Sequence, residues 1–468
     1  MQYIGKFRFD NKEHAVTCLT DEKNNIYTKV HETDINGYKR KIYGWAENKY
    51  ITIYESRLVD HGLGYYKYQS RYMAIYDAHL KYGRNDFINN IQDFRFTFRP
   101  LKDWLGLNTI RVEEHDIKLE IPDDIILFQD KELSIKIKYF KQGIIPGTET
   151  TKVKEVQIIP YIVVNSLKKI SVNEIMHYIQ LISRFFATLI GYTDNINEIY
   201  FHNYIDGKIK FDFLENILII NTDFSNKYYI KGGYSYCGFR TSYKNINEKI
   251  SILFYNWFEM YNKHEYNIPI VEYFSPYIGH VLEEEFLVFT KVLEKFSICS
   301  DDKNRNKTNK KKISKILTNF YKKYEKELID KFKKEEFRKE YIKNIDRIHN
   351  DVIESVIKKY DMRISLAQRI KKLDTDLILE KYFNEKHVIN KGKTKNKLTV
   401  YNYIANTRNY YTHLDNNKNI IGTNYLCAYN RILEMLVIKE MLRMMGFEER
   451  EIDDIIKKDQ YLNLYKEM

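Results

Sequence analysis

The sequence predicts an α+β protein: a strand-rich, sandwich-like N-terminal domain carrying one long helix, followed by an all-α helical bundle. Three observations predict it. Apolar and polar residues alternate with period two through much of the first 165 residues, the signature of half-buried strands. From about residue 270 onward the apolar residues recur at spacings of three and four, which places them on one face of a helix. The chain has 468 residues, 44% hydrophobic and 15% aromatic. That is too long for one ordinary core and rich enough to fill more than one. Domains are therefore expected at 1–260 and 270–468, with a Lys-rich insertion near 301–315.

The elements follow in order. Tyr50–Tyr54 and Leu133–Lys138 alternate as strands. Phe94, Phe96 and Phe98 alternate with Arg95, Thr97 and Arg99, so one face of that strand is apolar and the other basic. A helix starts at Ser171, where Ser171 and Glu174 make the S-x-x-E capping box. Ile175, Ile179, Ile182, Phe186 and Leu189 form its core stripe, and Gly191 closes it. Further strands are expected within 196–230, including Phe211–Leu214 and Ile217–Ile220, with a turn at Gly232-Gly233. Residues 246–268 read as helix linking the halves. Ile278, Leu282, Phe286, Phe289, Leu293 and Phe296 stripe the next helix. Residues 313–346 are charged and helical, and 347–374 continue as helix. Residues 425–445 are apolar nearly all round, the pattern of a central bundle helix, and Gly446 stops it.

Composition excludes several classes of function. No run of about 18 apolar residues occurs, so no spanning helix is expected. The start, Met1–Lys6, lacks a basic-then-apolar leader, and a cytoplasmic location is expected. Cys18, Cys237, Cys299 and Cys427 are widely spaced and make no C-x-x-C pair, and the twelve histidines are scattered. Neither a disulfide framework, a metal site nor a cofactor is expected. The formal net charge of +12 suits a nucleic-acid partner. Residues 301–315 hold seven Lys/Arg against two Asp, and 391–397 hold Lys391, Lys393, Lys395 and Lys397 with no acid. Either run reads as a solvated loop. The second also has the chemistry of a phosphate-holding rim.

The chemistry concentrates near the C-terminus, in Tyr401–Asp415. On a helix of about 3.6 residues per turn, Tyr401, Ile404, Arg408 and Tyr411 follow one stripe. Asn402, Asn406, Asn409 and His413 follow the neighbouring one. Arg408 thus stands where a core residue belongs, and rule-breaking of this kind concentrates at functional sites. His exchanges protons near neutral pH, and a guanidinium fits phosphate oxygens. Asn409 lies one turn before His413, within reach of its imidazole. His, Arg and an amide suffice for metal-free cleavage of an RNA phosphodiester. The same residues also read as a solvated Asn/His face beside an Arg that snorkels out of the core. Glu294 lies beside the apolar stripe of its helix, where a partly buried carboxylate seeks a cation, Arg408 or a nearby Lys; it also reads as an exposed helix charge. Glu283-Glu284-Glu285 reads as a solvated face.

The Arg408-Asn409-x-x-x-His413 run resembles the R-x(4–6)-H signature of HEPN domains. Ser365-Leu366-Ala367-Gln368-Arg369-Ile370-Lys371-Lys372-Leu373 resembles the segment preceding that signature in the ApeA-like family. Val292-Leu293-Glu294 resembles its "alE" word. The N-terminal half resembles the ApeA N-terminal domain, through Arg95-Phe96-Thr97-Phe98-Arg99, Trp104-Leu105-Gly106 and Arg184-Phe185-Phe186-Ala187-Thr188-Leu189.

The resemblance covers nearly the whole chain. It implies a bacterial anti-phage, abortive-infection endoribonuclease with Arg408, His413 and Asn409 as catalytic residues. Glu294, Asn406 and Thr412 would support them, and Lys391, Lys393, Lys395 and Lys397 would hold RNA. It further implies a homodimer with a composite site, host RNA, tRNA foremost, as substrate, an infection-derived trigger, and a sensing or regulatory role for the N-terminal domain. Two other functions compete: a non-catalytic RNA- or nucleotide-binding module, and a toxin held by a partner antitoxin. The presence of both Arg408 and His413 discriminates against the first, and the large N-terminal domain against the second.

Overall fold

The structure is a computed structural model. It describes residues 2–9, 12–21, 25–31, 39–46, 49–62, 65–77, 91–107, 110–112, 121–144, 154–191, 196, 198–201, 204–205, 208–209, 216–220, 239–274, 281–300, 315–319, 323, 327, 365–389, 398–413 and 419–466. The strand expected at 211–214, the turn expected at Gly232-Gly233 and nearly all of 301–364 lie outside the described residues.

Alternating residues near the N-terminus build six antiparallel strands: β1 (Gln2–Phe9), β2 (Lys12–Thr20), β3 (Ile26–Val30), β4 (Lys39–Ala46), β5 (Lys49–Gly62) and β6 (Tyr65–Asp77). They pair in the order β3-β2-β1-β4-β5-β6, and β6 pairs back onto β3, so the sheet closes into a barrel. Closure removes the free edges that an open sheet leaves. The inward residues form one apolar core around Phe7, Val16, Ile26, Ile42, Ile53, Tyr68 and Met73. Cys18 lies in it, and burial pushes its thiol up to about 12. Gly5 and Gly44 sit where β1 meets β4. A Cβ on Gly5 would meet the Trp45 carbonyl, and one on Gly44 the Lys6 carbonyl.

β6 outruns the barrel. Tyr66–Ser70 pair with β3, while Tyr72–Ile75 pair with β15 (Asn216–Ile220). From there the same sheet continues through β12 (Glu198–Phe201), β7 (Ile91–Phe96), β11 (Lys154–Ile170), β10 (Leu133–Ile144) and β9 (Ile125–Gln129), with β8 (Ile110–Val112) against β11. A short hairpin of β13 (Tyr204–Ile205) and β14 (Lys208–Ile209) stands apart. Among the described residues, the other strands of this half thus form one continuous antiparallel sheet, part of it closed on itself.

Phe94, Phe96 and Phe98 are buried as the alternation requires. Arg99 begins a short helix, α1 (Arg99–Trp104), rather than continuing the strand. Arg95 is no bare basic face either. Its guanidinium lies 4.4 Å from the Phe140 ring and 4.9 Å from Tyr161, and burial lowers its pKa. Thr97 donates to the Pro160 carbonyl at 2.7 Å.

Helix α2 (Val172–Ile190) starts on the Ser171/Glu174 capping box, and Gly191 closes it at φ +94°. Its aromatic contacts run from Phe98 and Trp104 to Phe254, and the Trp257 indole donates to the Leu181 carbonyl. The linking segment resolves into α3 (Ile250–Tyr261) and α4 (His264–Tyr273). The helical region adds α5 (Leu282–Ser300), α6 (Leu366–Leu373), α7 (Ile378–Tyr382), α8 (Val400–His413), α9 (Thr423–Met445) and α10 (Glu449–Lys458). Strands β16 (Val388–Ile389) and β17 (Ile420–Ile421) pair as a two-stranded ribbon. Of the helix expected through 347–374, the described part is α6, which starts at its own cap: extended Ser365, its hydroxyl accepting from the Gln368 amide. Gly446, at φ +102°, ends α9.

Two compact units result. One comprises residues 1–262, 274–279 and 441–461, and the other 263–273, 280–440 and 462–468. In the first, a buried Arg240–Asp459 ion pair at 2.7 Å ties the α10 end into the fold. Arg240 also donates to the Thr188 carbonyl at 2.7 Å, which helps satisfy a charge taken out of water.

Candidate active site

Helices α5, α6 and α8 pack against one another. On α8 the buried residues are Val400, Tyr401, Ile404 and Thr407. The seam therefore passes through Thr407, and Arg408 stands at its border with 29% of its side chain exposed. The reason is local. The Thr407 hydroxyl donates to the Tyr403 carbonyl at 2.7 Å and accepts from the Ile421 amide at 2.9 Å. Both its needs are met, so it packs like an apolar residue.

Two groups hold Arg408. Nη2 lies 3.6 Å from Glu294 Oε2 on α5, and Nη1 donates to Asn409 Oδ1 at 3.2 Å. Glu294 is thus the partner its helix position suggested. Asn409 faces Arg408 rather than His413. His413 ends α8 exposed and makes no hydrogen bond to the described residues. Thr412 donates to the Arg408 carbonyl at 2.8 Å, and Asn406 donates to the Asn419 carbonyl at 3.4 Å. These two tie down the backbone around Arg408 and the segment following α8. Lys391, Lys393, Lys395 and Lys397 lie outside the described residues. His413 lies five positions after Arg408. At about 1.5 Å rise and about 100° per residue, they project about 7.5 Å apart along the axis and about 140° apart around it, so the Asn402/Asn406/Asn409/His413 stripe lies well round the helix from that of Arg408 and is not its neighbour.

Three supports were not among the expected residues. Asp374 is buried. It accepts from the Ile378 and Leu379 amides at 2.8 and 3.0 Å, capping α7, and from the Tyr401 hydroxyl at 3.0 Å. Burial and that carboxylate push the Tyr401 hydroxyl up. An Asp between two helical runs is a capping signal visible in the sequence. His387 Nδ1 faces the Tyr429 hydroxyl at 3.1 Å, and its ring lies against Tyr425, with centroids 4.3 Å apart. Burial lowers its pKa. Glu285 is buried instead of solvated, accepting from Asn430 at 3.1 Å. Of the acidic run, Glu284 is exposed and Glu283 half-buried. Among the described residues no three His, Cys, Asp or Glu gather as a metal site requires.

The family comparison decides the lineage. Residues 2–257 match the ApeA N-terminal domain 1, and residues 252–451 match the ApeA-like HEPN domain. The chain belongs to the ApeA family. Comparison with curated proteins and with solved structures gave no match. ApeA architecture, an N-terminal domain joined to HEPN, is that of an abortive-infection effector of HEPN type. HEPN domains are generally ribonucleases that bind RNA and dimerise. In this ApeA chain the matched HEPN residues include the whole Arg408–His413 run and Glu294. No helix among the described residues is long and apolar enough to cross a membrane.

Proposed function

We propose that this ApeA-family chain is a metal-independent endoribonuclease acting in anti-phage defence, with Arg408 and His413 as its chemical groups. The observation that carries the reading is the state of Arg408. It is oriented by Glu294 and Asn409, yet keeps 29% of its side chain exposed to meet a phosphate. The substrate 2′-hydroxyl attacks phosphorus and passes its proton to one imidazole. Arg408 stabilises the charge on the phosphorane. The P–O5′ bond then breaks, and the departing oxygen takes a proton from a second imidazole. The products are a 2′,3′-cyclic phosphate and a 5′-hydroxyl.

One α8 directs Arg408 and His413 about 140° apart, so a second copy of the chain completes the site in a twofold homodimer. Single-stranded loops are the natural targets because in-line attack needs a flexible backbone. Host tRNA is the leading substrate, cleaved in the cytoplasm. The lysines of 391–397 hold its phosphates, and residues 1–260 sense the infection.

A second reading has its own support. No described residue orients the His413 imidazole, which suits a module that binds RNA or nucleotide without cutting, or a toxin completed or held by a partner protein. The test incubates purified protein with total RNA and EDTA and maps product ends. Cyclic-phosphate and 5′-hydroxyl ends are expected. Cleavage that EDTA abolishes, or 5′-phosphate ends, overturns the mechanism, and intact RNA supports the second reading.

A further inference from the structure

The outer surface of the barrel carries an arrangement that packing alone does not require. Where β3 meets β6, Lys29 stands directly opposite Lys67. Like charges in that position destabilise a sheet. The side chains splay in opposite diagonal directions, each onto a tyrosine of the other strand. Lys29 Nζ lies 4.3 Å from the Tyr65 ring centroid, and Lys67 Nζ lies 4.4 Å from that of Tyr27. The rings relieve the repulsion without cancelling the charge. Among the described residues neither lysine forms an ion pair.

The neighbouring strands extend the pattern. Thr17 lies opposite Lys29 on β2, and its hydroxyl meets His31 at 3.1 Å. Arg57, opposite Gln69, is held by that amide at 3.3 Å. Asp60, opposite Lys67, accepts from the Tyr65 hydroxyl at 3.4 Å. The inward residues of β3, Ile26, Thr28 and Val30, are fully buried. Tyr27 and Lys29 therefore point outward.

We infer that this face, spanning β2, β3, β6 and β5, binds single-stranded nucleic acid. Lys29 and Lys67 would hold successive phosphates, and Tyr27 and Tyr65 would stack bases once a phosphate draws each ammonium off its ring. Alternation of cation and ring is what a polynucleotide uses. A plain polyanion uses only the cations. The face lies apart from Arg408 and His413 in the sequence and needs neither.

The probe is a fluorescein-labelled oligodeoxythymidylate titrated against the full chain by anisotropy at several salt concentrations. It has no 2′-hydroxyl, so its binding stands apart from whether the chain cuts RNA. Lys29→Gln/Lys67→Gln is expected to weaken binding and lower the slope of log affinity against log salt by about 1.4, since each single-strand phosphate contributes about 0.7. Lys29→Arg/Lys67→Arg should retain both. Tyr27→Leu/Tyr65→Leu should weaken binding about fivefold or more with the slope unchanged. Wild-type affinity and slope in a folded Lys→Gln pair overturn the inference. So does displacement of the probe by inorganic polyphosphate as efficiently as by unlabelled oligonucleotide.

Discussion

Arg408 gains its orientation at the cost of little burial, and that sets what its loss should do. Glu294 and Arg408 are 30% and 29% exposed at 3.6 Å. A deeply buried pair loses about 3–5 kcal/mol when one partner is stranded, whereas water screens a pair this open to about 1 kcal/mol or less. Arg408→Ala should therefore abolish RNA cleavage while moving the denaturation midpoint only slightly. His413→Ala should abolish cleavage and cellular toxicity with no loss of fold, because His413 makes no hydrogen bond to the described residues. Full cleavage by either folded variant would remove these residues from the chemistry. The sequence marked Glu294 as a carboxylate beside an apolar stripe that could seek a cation, but left Arg408, a nearby lysine or plain solvent as its partner, since the 3.6 Å contact with Arg408 lies 114 positions away and was not legible. It misplaced the seam by one residue because 407 and 408 both lie about one turn from Ile404. Only the threonine's two hydrogen bonds decide between them. Glu285 was misread for a related reason: its partner Asn430 is 145 positions away.

At the scale of elements, local signals held and distant pairings were hidden. The Ser171/Glu174 box and Gly191 bounded α2 because caps act over three or four residues. The closure of β3 onto β6 was not legible, since alternation tells which face is buried and not which strand is the neighbour. The same limit hid the β16–β17 ribbon, whose Ile421 amide is satisfied by Thr407. Thr407→Val should strand that buried N–H and cost about 1–3 kcal/mol, measurable as a lower urea midpoint. Thr407→Ser should recover most of the loss, and a Val variant as stable as wild type would show that the bond contributes nothing. Between β16 and α8 the chain carries Lys391, Lys393, Lys395 and Lys397. Lysines act as point charges that add affinity and salt dependence with little base selectivity. Changing all four to Gln should raise the RNA dissociation constant and flatten its salt dependence, with a much smaller effect on the rate at saturating RNA. An unchanged salt slope would make the run a solvated loop.

At the scale of the whole molecule, the charge of +12 suits a polyanionic partner without saying where one would lie. Stoichiometry is the sharper question, because helix geometry starts the Arg408 and His413 side chains about 140° apart around α8. In the proposed homodimer, a composite site would resolve this by letting one chain's guanidinium work with the other's imidazole. An Arg408→Ala homodimer keeps both imidazoles and no site arginine, while a His413→Ala homodimer keeps both arginines and no imidazole. Each should be inactive alone. A heterodimer of the two, co-expressed with different tags and isolated through both, holds one arginine and one imidazole on opposite chains. It should recover part of the wild-type rate, and only part, since acid and base roles then fall to a single imidazole aided by water. The rate is read with the same RNA and EDTA as for the wild type. An isolated heterodimer as inactive as its parents would mean that each chain needs its own Arg408 and His413 together. A wild-type chain that stays monomeric while cleaving would remove the second copy from the mechanism altogether.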